Sequence, residues 1–367
     1  MAEDDPLFSA PTPLHGRTAE LARANLWTPW FGYSAATVYG DVVEESVALA
    51  SGCAIADFTP YPVYEIAGSD ASAYLDRLLT RPASTMREGE EKPALICESS
   101  GHVVALCTVI RPAPEIFLLM CASEVGARLI DARAGMNVEV SRTPLVPIAL
   151  FGPKRDELLS DLGLNQALDG EGFVTGIEHN GVSLLVLDLP GQTAPGGGGS
   201  FVFMRSEDGS VEWDRLMRRG RDLSMLPVGL EALDRRRIDT GIPREGFEFR
   251  SAPFAVSDDE RALPAEIGMG KMVELDGRSF TGAQALAGAV PRRELVRVEV
   301  DRVMPLKGQA LRLADKAIGT VTSAYRAEAL GMTKGLALVN KKTPRTALTV
   351  GPRGSVIPAF AAPIEFS

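Results

Sequence analysis

The segment after Arg292 constrains the fold most, because its apolar runs are too short for buried helices. These runs are ELVRVEVD, QALRLA, AIGTVTSAY, KGLALVN and ALTV, and Gly and Pro separate them at short intervals. Short β-rich runs with frequent breakers are typical of small closed β-structures. The pattern predicts an all-β barrel at the end of the chain, with a boundary near residues 285–292.

The preceding part mixes helices and strands without a regular order. A helix is predicted over residues 40–51, where valines and leucine recur among acidic residues. The run VYEIAG then alternates as a strand, and SDASAYLDRLLT follows with a Ser/Asp cap and one apolar helical face. Several strand-like runs come before the next helix, EVGARLIDARA. This order predicts an α+β fold rather than regular βαβ units.

Composition excludes several classes of protein. The net charge is 38 − 48 = −10, which disfavours nucleic acid as a partner. Arg235, Arg236 and Arg237 alternate with acidic residues and indicate helix salt bridges. No signal peptide and no membrane-spanning run is recognised. The four cysteines lie in apolar stretches and form no CxxC pair, which favours reduced thiols, a cytoplasmic location and no bound metal.

One glycine run invites a comparison with phosphate-binding loops. Residues 196–199 are four consecutive glycines in PGQTAPGGGGS. A phosphate cradle needs a following helix, whereas the strand-like FVFM follows here. A flexible surface loop is the favoured interpretation.

Several motifs, taken in order, resemble the aminomethyltransferase (T-protein) family of folate-dependent one-carbon enzymes. The best match is GLEALDRRRIDTGI at 229–242, against G-L-x-A-R-D-x-L-R-L-E-A-G. Residues 57–80 match D-x-S-x-x-x-x-x-E-x-x-G-x-D-A-x-x-[FY]-L-x-x-L-L-T, with Thr59 in place of serine. Weaker matches are YGDVVEES (39–46), FGPKRDELL (151–159), PAE (264–266), FTGAQAL (280–286), GTVTSAY (319–325) and KGLAL (334–338).

The resemblance implies a three-domain cloverleaf of the aminomethyltransferase type, around a channel that holds tetrahydrofolate. Its implied domains are residues 1–145, residues 146–288, which complete the channel, and the β-barrel at residues 289–367. Both of the first two domains are α+β.

The chain departs from the family where the family's catalytic aspartate stands. The family has a G-G-x-I-x-D-D turn, whereas this chain has GHVVAL, with Val104 and Ala105 in the acidic places. A shifted register still finds no carboxylate between Gly101 and Arg111. The family's R-T-G-Y-T-G-E-x-G-F-E element is replaced by LDLPGQTAPGGGGSFVF, and the arginine of A-R-D is Leu233.

These losses argue against glycine cleavage, which needs a positioned carboxylate for charge and proton management. Methyl transfer is a direct displacement that depends more on alignment of the reacting atoms. The sequence therefore predicts a tetrahydrofolate-dependent methyl or one-carbon transferase, most simply a demethylase of a small O-, S- or N-methyl donor. A methyl ether donor needs an acid that protonates its leaving oxygen. A cationic methyl donor instead favours a pocket wall of aromatic rings, which attract the positive charge.

Candidate catalytic residues are His102 and Tyr39. His102 stands beside the lost aspartate and could be the acid, or it is a surface histidine of a turn. Tyr39 matches a family position and is also a candidate cofactor contact. Glu266, in the P-x-E element, is the preferred pterin contact. Arg237 either binds the folate glutamate tail or forms a buried Arg–carboxylate interaction.

Four aromatic residues are candidates for the substrate pocket. Trp30 and Tyr33 lie in the segment that lines the channel mouth in the family, and packing of an N-terminal arm is the alternative. Tyr61 and Tyr64 flank a strand, and alternation places one of them in the core.

Two other functions stay open. One is a family fold that has lost folate and catalyses a lyase-type reaction such as formaldehyde release. The other is a non-catalytic folate-binding protein, although Ser279 replaces the cysteine of that subgroup's K-G-C-Y-x-G-Q motif. The sequence names neither the substrate nor the oligomeric state.

Overall fold

A computed structural model describes residues 9–164, 174–189, 199–301, 303–345, 347–352 and 357–364. The chain forms two compact units. Unit 1 comprises Met1–Tyr74, Ala83–Lys92 and Thr108–Arg236, and unit 2 comprises Leu75–Pro82, Pro93–Cys107 and Arg237–Ser367. The three domain boundaries predicted from the sequence stay predictions.

The described residues contain helices and strands in irregular alternation. The helices are α1 (His15–Leu21), α2 (Val42–Ser51), α3 (Ala71–Leu78), α4 (Gly126–Ala132), α5 (Arg155–Asp161), α6 (Gly209–Arg219), α7 (Leu230–Thr240) and α8 (Ala283–Ala287). The first fourteen strands are β1 (Ala10–Pro11), β2 (Leu26–Trp30), β3 (Tyr33–Val38), β4 (Ala54–Asp57), β5 (Val63–Ala67), β6 (Glu91–Cys97), β7 (Val103–Ala113), β8 (Ile116–Cys121), β9 (Glu139–Arg142), β10 (Leu145–Phe151), β11 (Val174–His179), β12 (Val182–Leu189), β13 (Gly199–Arg205) and β14 (Leu226–Pro227). The last six are β15 (Arg293–Asp301), β16 (Ala310–Leu313), β17 (Lys316–Ala327), β18 (Met332–Asn340), β19 (Leu348–Val350) and β20 (Ile357–Pro363).

These strands form three open sheets and a barrel. The open sheets have the orders β1-β3-β2, β11-β12-β13-β10-β4-β14 and β6-β7-β8-β5-β9. The six-stranded sheet belongs to unit 1, and its two faces carry separate apolar clusters. Because each face of the sheet is covered by apolar side chains, its central strands read as nearly continuous apolar runs.

Helix α2 begins where its sequence supplies a cap. The Asp41 carboxylate accepts hydrogen bonds from the backbone N–H groups of Val43 (2.7 Å) and Glu44 (3.1 Å). Acidic residues in the first turn also favour the helix dipole. The helix predicted at residues 40–51 is confirmed.

The 57–80 run folds as predicted into strand β5 and helix α3. The apolar face of the helix, Ala71, Leu75 and Leu78, is buried. Gly68 lies between the two elements with a φ of +136°, and a side chain there would collide with the Asn137 carbonyl oxygen. Its backbone geometry explains why the motif has a glycine at this place.

The predicted C-terminal barrel is confirmed. Strands β15 to β20 close in the order β15-β18-β17-β16-β19-β20 around a core of valines and leucines. Gly335 of the KGLAL motif lies on β18, where a Cβ atom would approach the Ser323 carbonyl oxygen to 2.5 Å. Close approach of the strands therefore requires glycine.

The prediction that the cysteines are buried is confirmed. All four, at positions 53, 97, 107 and 121, lie in the interior, and none forms a disulfide. Among the described residues, no helix is long and apolar enough to cross a membrane.

Candidate functional site

Tyr39 follows strand β3 and is buried, with 5% of its surface exposed. Its backbone N–H donates to Glu45 Oε1 at 2.7 Å. Burial raises the pKa of the phenol well above its ordinary value, and the negative charges of Asp57 and Glu45 add to this effect. Tyr39 is therefore a neutral phenol that can donate a hydrogen bond, and its roles in catalysis and cofactor binding stay predictions.

Asp57, at the end of β4, was not among the predicted site residues. Its carboxylate accepts hydrogen bonds from the Thr12 hydroxyl (2.6 Å) and from the Thr59 N–H (2.9 Å) and hydroxyl (2.5 Å). Burial raises the pKa of Asp57 despite these hydrogen bonds. Thr59 thus supplies the hydroxyl that the motif's serine position predicts, and the D-x-[ST] spacing was the available signal.

Asp57 and Tyr39 line a small cavity in unit 1. Its volume is about 10 Å³, which is room for one water molecule. Trp30 and Leu233 also contribute to its wall. A substrate does not fit into this cavity, so Asp57 contributes to the local electrostatics rather than to an open pocket.

Two of the predicted pocket residues, Trp30 and Tyr61, lie together in an aromatic cluster. Their ring centroids are 6.2 Å apart, and Phe31 lies 6.1 Å from each of them. Phe58 packs behind the three rings, at 5.4 Å from Trp30 and 5.7 Å from Tyr61. Phe31 has a φ of +45°, which is unusual for a bulky residue. Phe31 and Phe58 were not among the residues predicted for the pocket.

The other two predicted pocket residues have separate partners. The guanidinium carbon of Arg142 lies 5.9 Å from the ring centroid of Tyr33. Tyr64 is buried, with 3% exposed, and its hydroxyl donates to the Glu124 carboxylate. Tyr64 is therefore the more deeply buried member of the Tyr61/Tyr64 pair, and half-buried Tyr61 packs against the apolar core of unit 1.

His102 lies in the tight turn between β6 and β7. Its Nδ1 atom lies 2.8 Å from the Ser100 hydroxyl oxygen and 3.8 Å from Glu98 Oε1. The side chains of His102 and Glu98 are each 23% exposed. A half-buried, hydrogen-bonded imidazole can carry a proton, although the catalytic role of His102 stays a prediction.

The positions that follow His102 are apolar and buried. Val104 is 3% exposed, Ala105 is fully buried, and both lie on β7. The structure describes every residue from Gly101 to Arg111, and none of the residues between these two is an aspartate or a glutamate. This stretch of β7 offers packing surface and no acid or base.

Glu266 is fully engaged within unit 2. Its carboxylate accepts hydrogen bonds from the backbone N–H groups of Leu263 (3.2 Å), Arg292 (2.9 Å) and Arg293 (3.2 Å). Burial alone would raise the pKa of Glu266, but the Arg292 N–H and the Arg293 charge lower it below its ordinary value. The observed role is structural, and contact with a pterin stays a prediction.

Arg237 is likewise engaged. Its guanidinium donates to Glu248 Oε2 (3.0 Å) and to the Ser323 hydroxyl (2.7 Å). The side chains of Arg237 and Glu248 are 6% and 0% exposed, so the pair is buried. Of the two roles predicted for Arg237, the structure contains the buried Arg–carboxylate interaction.

The three predicted tetrahydrofolate contacts are all in the interior or bonded to other groups of the protein. Arg237 and Glu266 are bonded within the protein, and Tyr39 is buried. None of the three presents a free charged group to a ligand, so these residues by themselves do not fit the cofactor. Among the described residues, no cluster of His, Cys, Asp and Glu has the geometry of a metal site.

Unit 2 carries a larger groove, which was not predicted from the sequence. Its volume is about 450 Å³, within the range of small-molecule sites. Phe247, Arg250, Asp259 and Lys307 are among its lining residues, and the Lys307 ammonium lies 4.8 Å from the ring centroid of Phe247. Its lining carries charges of both signs, which indicates no single class of ligand.

Comparison with known proteins places these observations in a family. Residues 14–277 match the model of the GCVT N-terminal domain, and residues 293–364 match that of the glycine cleavage T-protein C-terminal barrel domain. An aminomethyltransferase of Symbiobacterium thermophilum is 28% identical over 330 residues, which cover 85% of this chain and 84% of the relative. One from Moorella thermoacetica is 27% identical over 373 residues, or 97% of each chain.

A solved structure has the same fold. The glycine cleavage system aminomethyltransferase T from Bartonella henselae matches with a TM-score of 0.83 over 96% of each chain, at 18% sequence identity. The predicted α+β fold of the aminomethyltransferase type is therefore confirmed. Since the family models cover most of its length, the chain belongs to the glycine cleavage T-protein family.

Proposed function

We propose that the protein is a tetrahydrofolate-dependent methyl or one-carbon transferase that demethylates a small substrate. The observation that carries this proposal is the replacement of the family's acidic turn by buried apolar residues, Val104 and Ala105. Without a carboxylate there, the chain lacks the group that glycine cleavage needs for proton and charge management. Methyl transfer has less need of a base, because it is a displacement governed by alignment.

The methyl acceptor is proposed on the family relationship alone. Tyr39 is buried, and Glu266 and Arg237 are bonded within the protein, so contact of these three residues with a folate stays a prediction. The substrate proposal draws on Trp30 and Tyr61 instead. Their half-buried rings offer an apolar wall that accepts a methyl group or a cationic head. His102 is the proposed proton donor when the leaving atom is oxygen.

A second candidate is a folate-independent activity on the same fold. The specific observation in its favour is that all three predicted cofactor contacts are engaged or buried. In that case the fold would be retained and the chemistry changed, since fold does not fix function.

Titration calorimetry of the purified chain with tetrahydrofolate under anaerobic conditions separates the two candidates. Micromolar binding is the expected result, and formation of 5-methyltetrahydrofolate from candidate methyl donors would then be followed. His102→Gln should retain binding and lose turnover with ether donors by about 10²-fold. Absence of binding at millimolar tetrahydrofolate would refute the folate proposal and leave the second candidate.

A further inference from the structure

The turn from Glu98 to His102 contains a hydrogen-bond chain whose direction is fixed by chemistry. The Ser100 hydroxyl lies 2.5 Å from Glu98 Oε1 and 2.8 Å from His102 Nδ1. An ionised carboxylate only accepts, so the single Ser100 proton points to Glu98. The Ser100 oxygen must then accept from His102, and Nδ1 must carry a proton.

We infer that Glu98 and Ser100 are positioning residues that hold neutral His102 in the Nδ1–H tautomer, with Nε2 as the atom that exchanges a proton with a ligand. Within the described residues, Nε2 has no hydrogen-bond partner, and the His102 side chain is 23% exposed. Its lone pair is therefore free to accept a proton, and protonated Nε2 can return that proton to a leaving atom. The tautomer follows from the turn alone, and its use in methyl transfer rests on the proposed function.

The backbone of the turn that carries the ring is held by hydrogen bonds and by packing. The Glu98 N–H donates to the His102 carbonyl oxygen at 3.0 Å, and the Val103 N–H donates to the Ala262 carbonyl oxygen at 2.9 Å. Gly101 has a φ of +82°, and a Cβ atom there would lie 3.1 Å from Leu286 Cγ. A packed, glycine-dependent turn therefore fixes where the imidazole stands.

The chain offers a sharp test, because three histidines are easily resolved. Nitrogen NMR of the ¹⁵N-histidine-labelled full chain, under alkaline conditions that leave histidines neutral, reports which ring nitrogen carries the proton. His102→Gln assigns the signal. We expect Nδ1–H in the parent chain. In Glu98→Ala the Ser100 proton is released and can donate to Nδ1, so the proton should move to Nε2.

Two further variants control the test. Glu98→Gln keeps an acceptor oxygen and should keep the parent tautomer, and Ser99→Ala changes an exposed neighbour outside the chain of bonds and should change nothing. Nε2–H in the parent chain, or an unchanged tautomer in Glu98→Ala that remains folded by circular dichroism, would overturn the inference.

A kinetic readout links the tautomer to the proposed function. With an ether donor identified by the methyl-transfer screen, Glu98→Ala should lower kcat on the order of 10²-fold while KM stays near the parent value, and Glu98→Gln should restore kcat. A parental kcat in Glu98→Ala would contradict the positioning role. Failure of tetrahydrofolate binding alongside the expected NMR result would refute the proposed function alone.

Discussion

At the residue scale, Glu45 of unit 1 is a buried carboxylate that is bonded to three backbone N–H groups. Glu45 is 2% exposed and accepts hydrogen bonds from the backbone N–H groups of Tyr39 (2.7 Å), Gly40 (3.1 Å) and Gly229 (2.9 Å). It thereby ties the loop that carries Tyr39 to the beginning of α7. Buried donors that lose their acceptor carry a large desolvation cost.

Glu45→Ala should therefore lower the free energy of unfolding by about 3 kcal/mol, because three backbone donors lose their acceptor together. Glu45→Gln should lower the free energy of unfolding by less. Its amide oxygen still accepts hydrogen bonds, while its NH₂ group faces the Gly229 N–H and cannot accept from it. The exposed neighbour Glu44 provides the control, and Glu44→Ala should stay within about 0.5 kcal/mol. Urea denaturation measures all three, and equal losses for Glu44→Ala and Glu45→Ala would contradict the assignment.

Asp57 gives a pH-dependent prediction at the same scale. Because burial raises its pKa in the folded state, the stability from this group is fully present below the ordinary aspartate pKa of about 3.9. That stability is lost as pH rises through the raised folded value. Asp57→Asn does not titrate, so its stability relative to the parent should improve between about pH 3.5 and pH 7.

Paired denaturation curves at the two pH values measure this change. Asp258→Asn, at an exposed aspartate, is the control and should show no such trend. A difference between Asp57→Asn and the parent that is constant with pH would show that Asp57 titrates normally.

At the scale of elements, the β2–β3 hairpin depends on backbone that L-residues rarely adopt. Its two turn residues, Phe31 and Gly32, have φ values of +45° and +80°. Positive φ at both central positions is the geometry that matches the twist of paired strands. The turn places the Phe31 ring against Tyr61 and so builds one side of the aromatic cluster.

Gly32→Ala should destabilise the protein by roughly 1–2 kcal/mol, because the left-handed conformation is strained for alanine. Apart from the two chain neighbours, no atom of the described residues lies within 4 Å of the added Cβ, so the effect is purely conformational. Gly16 also has open space but lies in helix α1, and Gly16→Ala should stabilise by about 0.4–1 kcal/mol. Thermal melts of the pair should shift in opposite directions, and shifts of the same sign would contradict the explanation.

At the scale of the whole molecule, burial lowers the reactivity of the cysteine thiols. All four cysteines are buried, and burial raises the pKa of Cys53 to about 11. At pH 8 a thiol with that pKa is ionised in about one molecule in a thousand, and the thiolate is the reactive form.

A disulfide reagent at pH 8 should therefore titrate none of the thiols of the native protein within minutes. In denaturant the same reagent should titrate four, in agreement with the sequence. One rapidly reacting thiol in the native protein would reveal local opening of the core around it.

The fold was largely predictable because its signals are local. The cap of α2, the alternation of β5, the apolar face of α3 and the broken runs of the barrel are patterns within a few residues of one another. Motif glycines such as Gly68 marked backbone constraints that hold wherever the segment is placed. The β2–β3 hairpin was not predicted, because its turn residues, Phe31 and Gly32, lack the Asn-Gly sequence that is typical of such turns.

The candidate site was less predictable, because a motif names a residue without its partners. Glu266 and Arg237 matched family positions, yet the structure bonds both within unit 2. Asp57 and Phe58 lay inside a matching motif, and only packing brought Asp57 beside Tyr39 and Phe58 behind Trp30. Side-chain partners come from distant segments, which sequence spacing does not encode.

The sequence by itself determined the α+β class, the C-terminal barrel, the family and the absence of a carboxylate between Gly101 and Arg111. Each of these depends on a local pattern or on the identity of single residues. The tertiary structure decided which polar groups are already bonded, which aromatic rings share one cluster and which groups surround the His102 ring. These depend on distances between side chains. Buried polar groups must find partners, and those partners are settled only when the chain is packed.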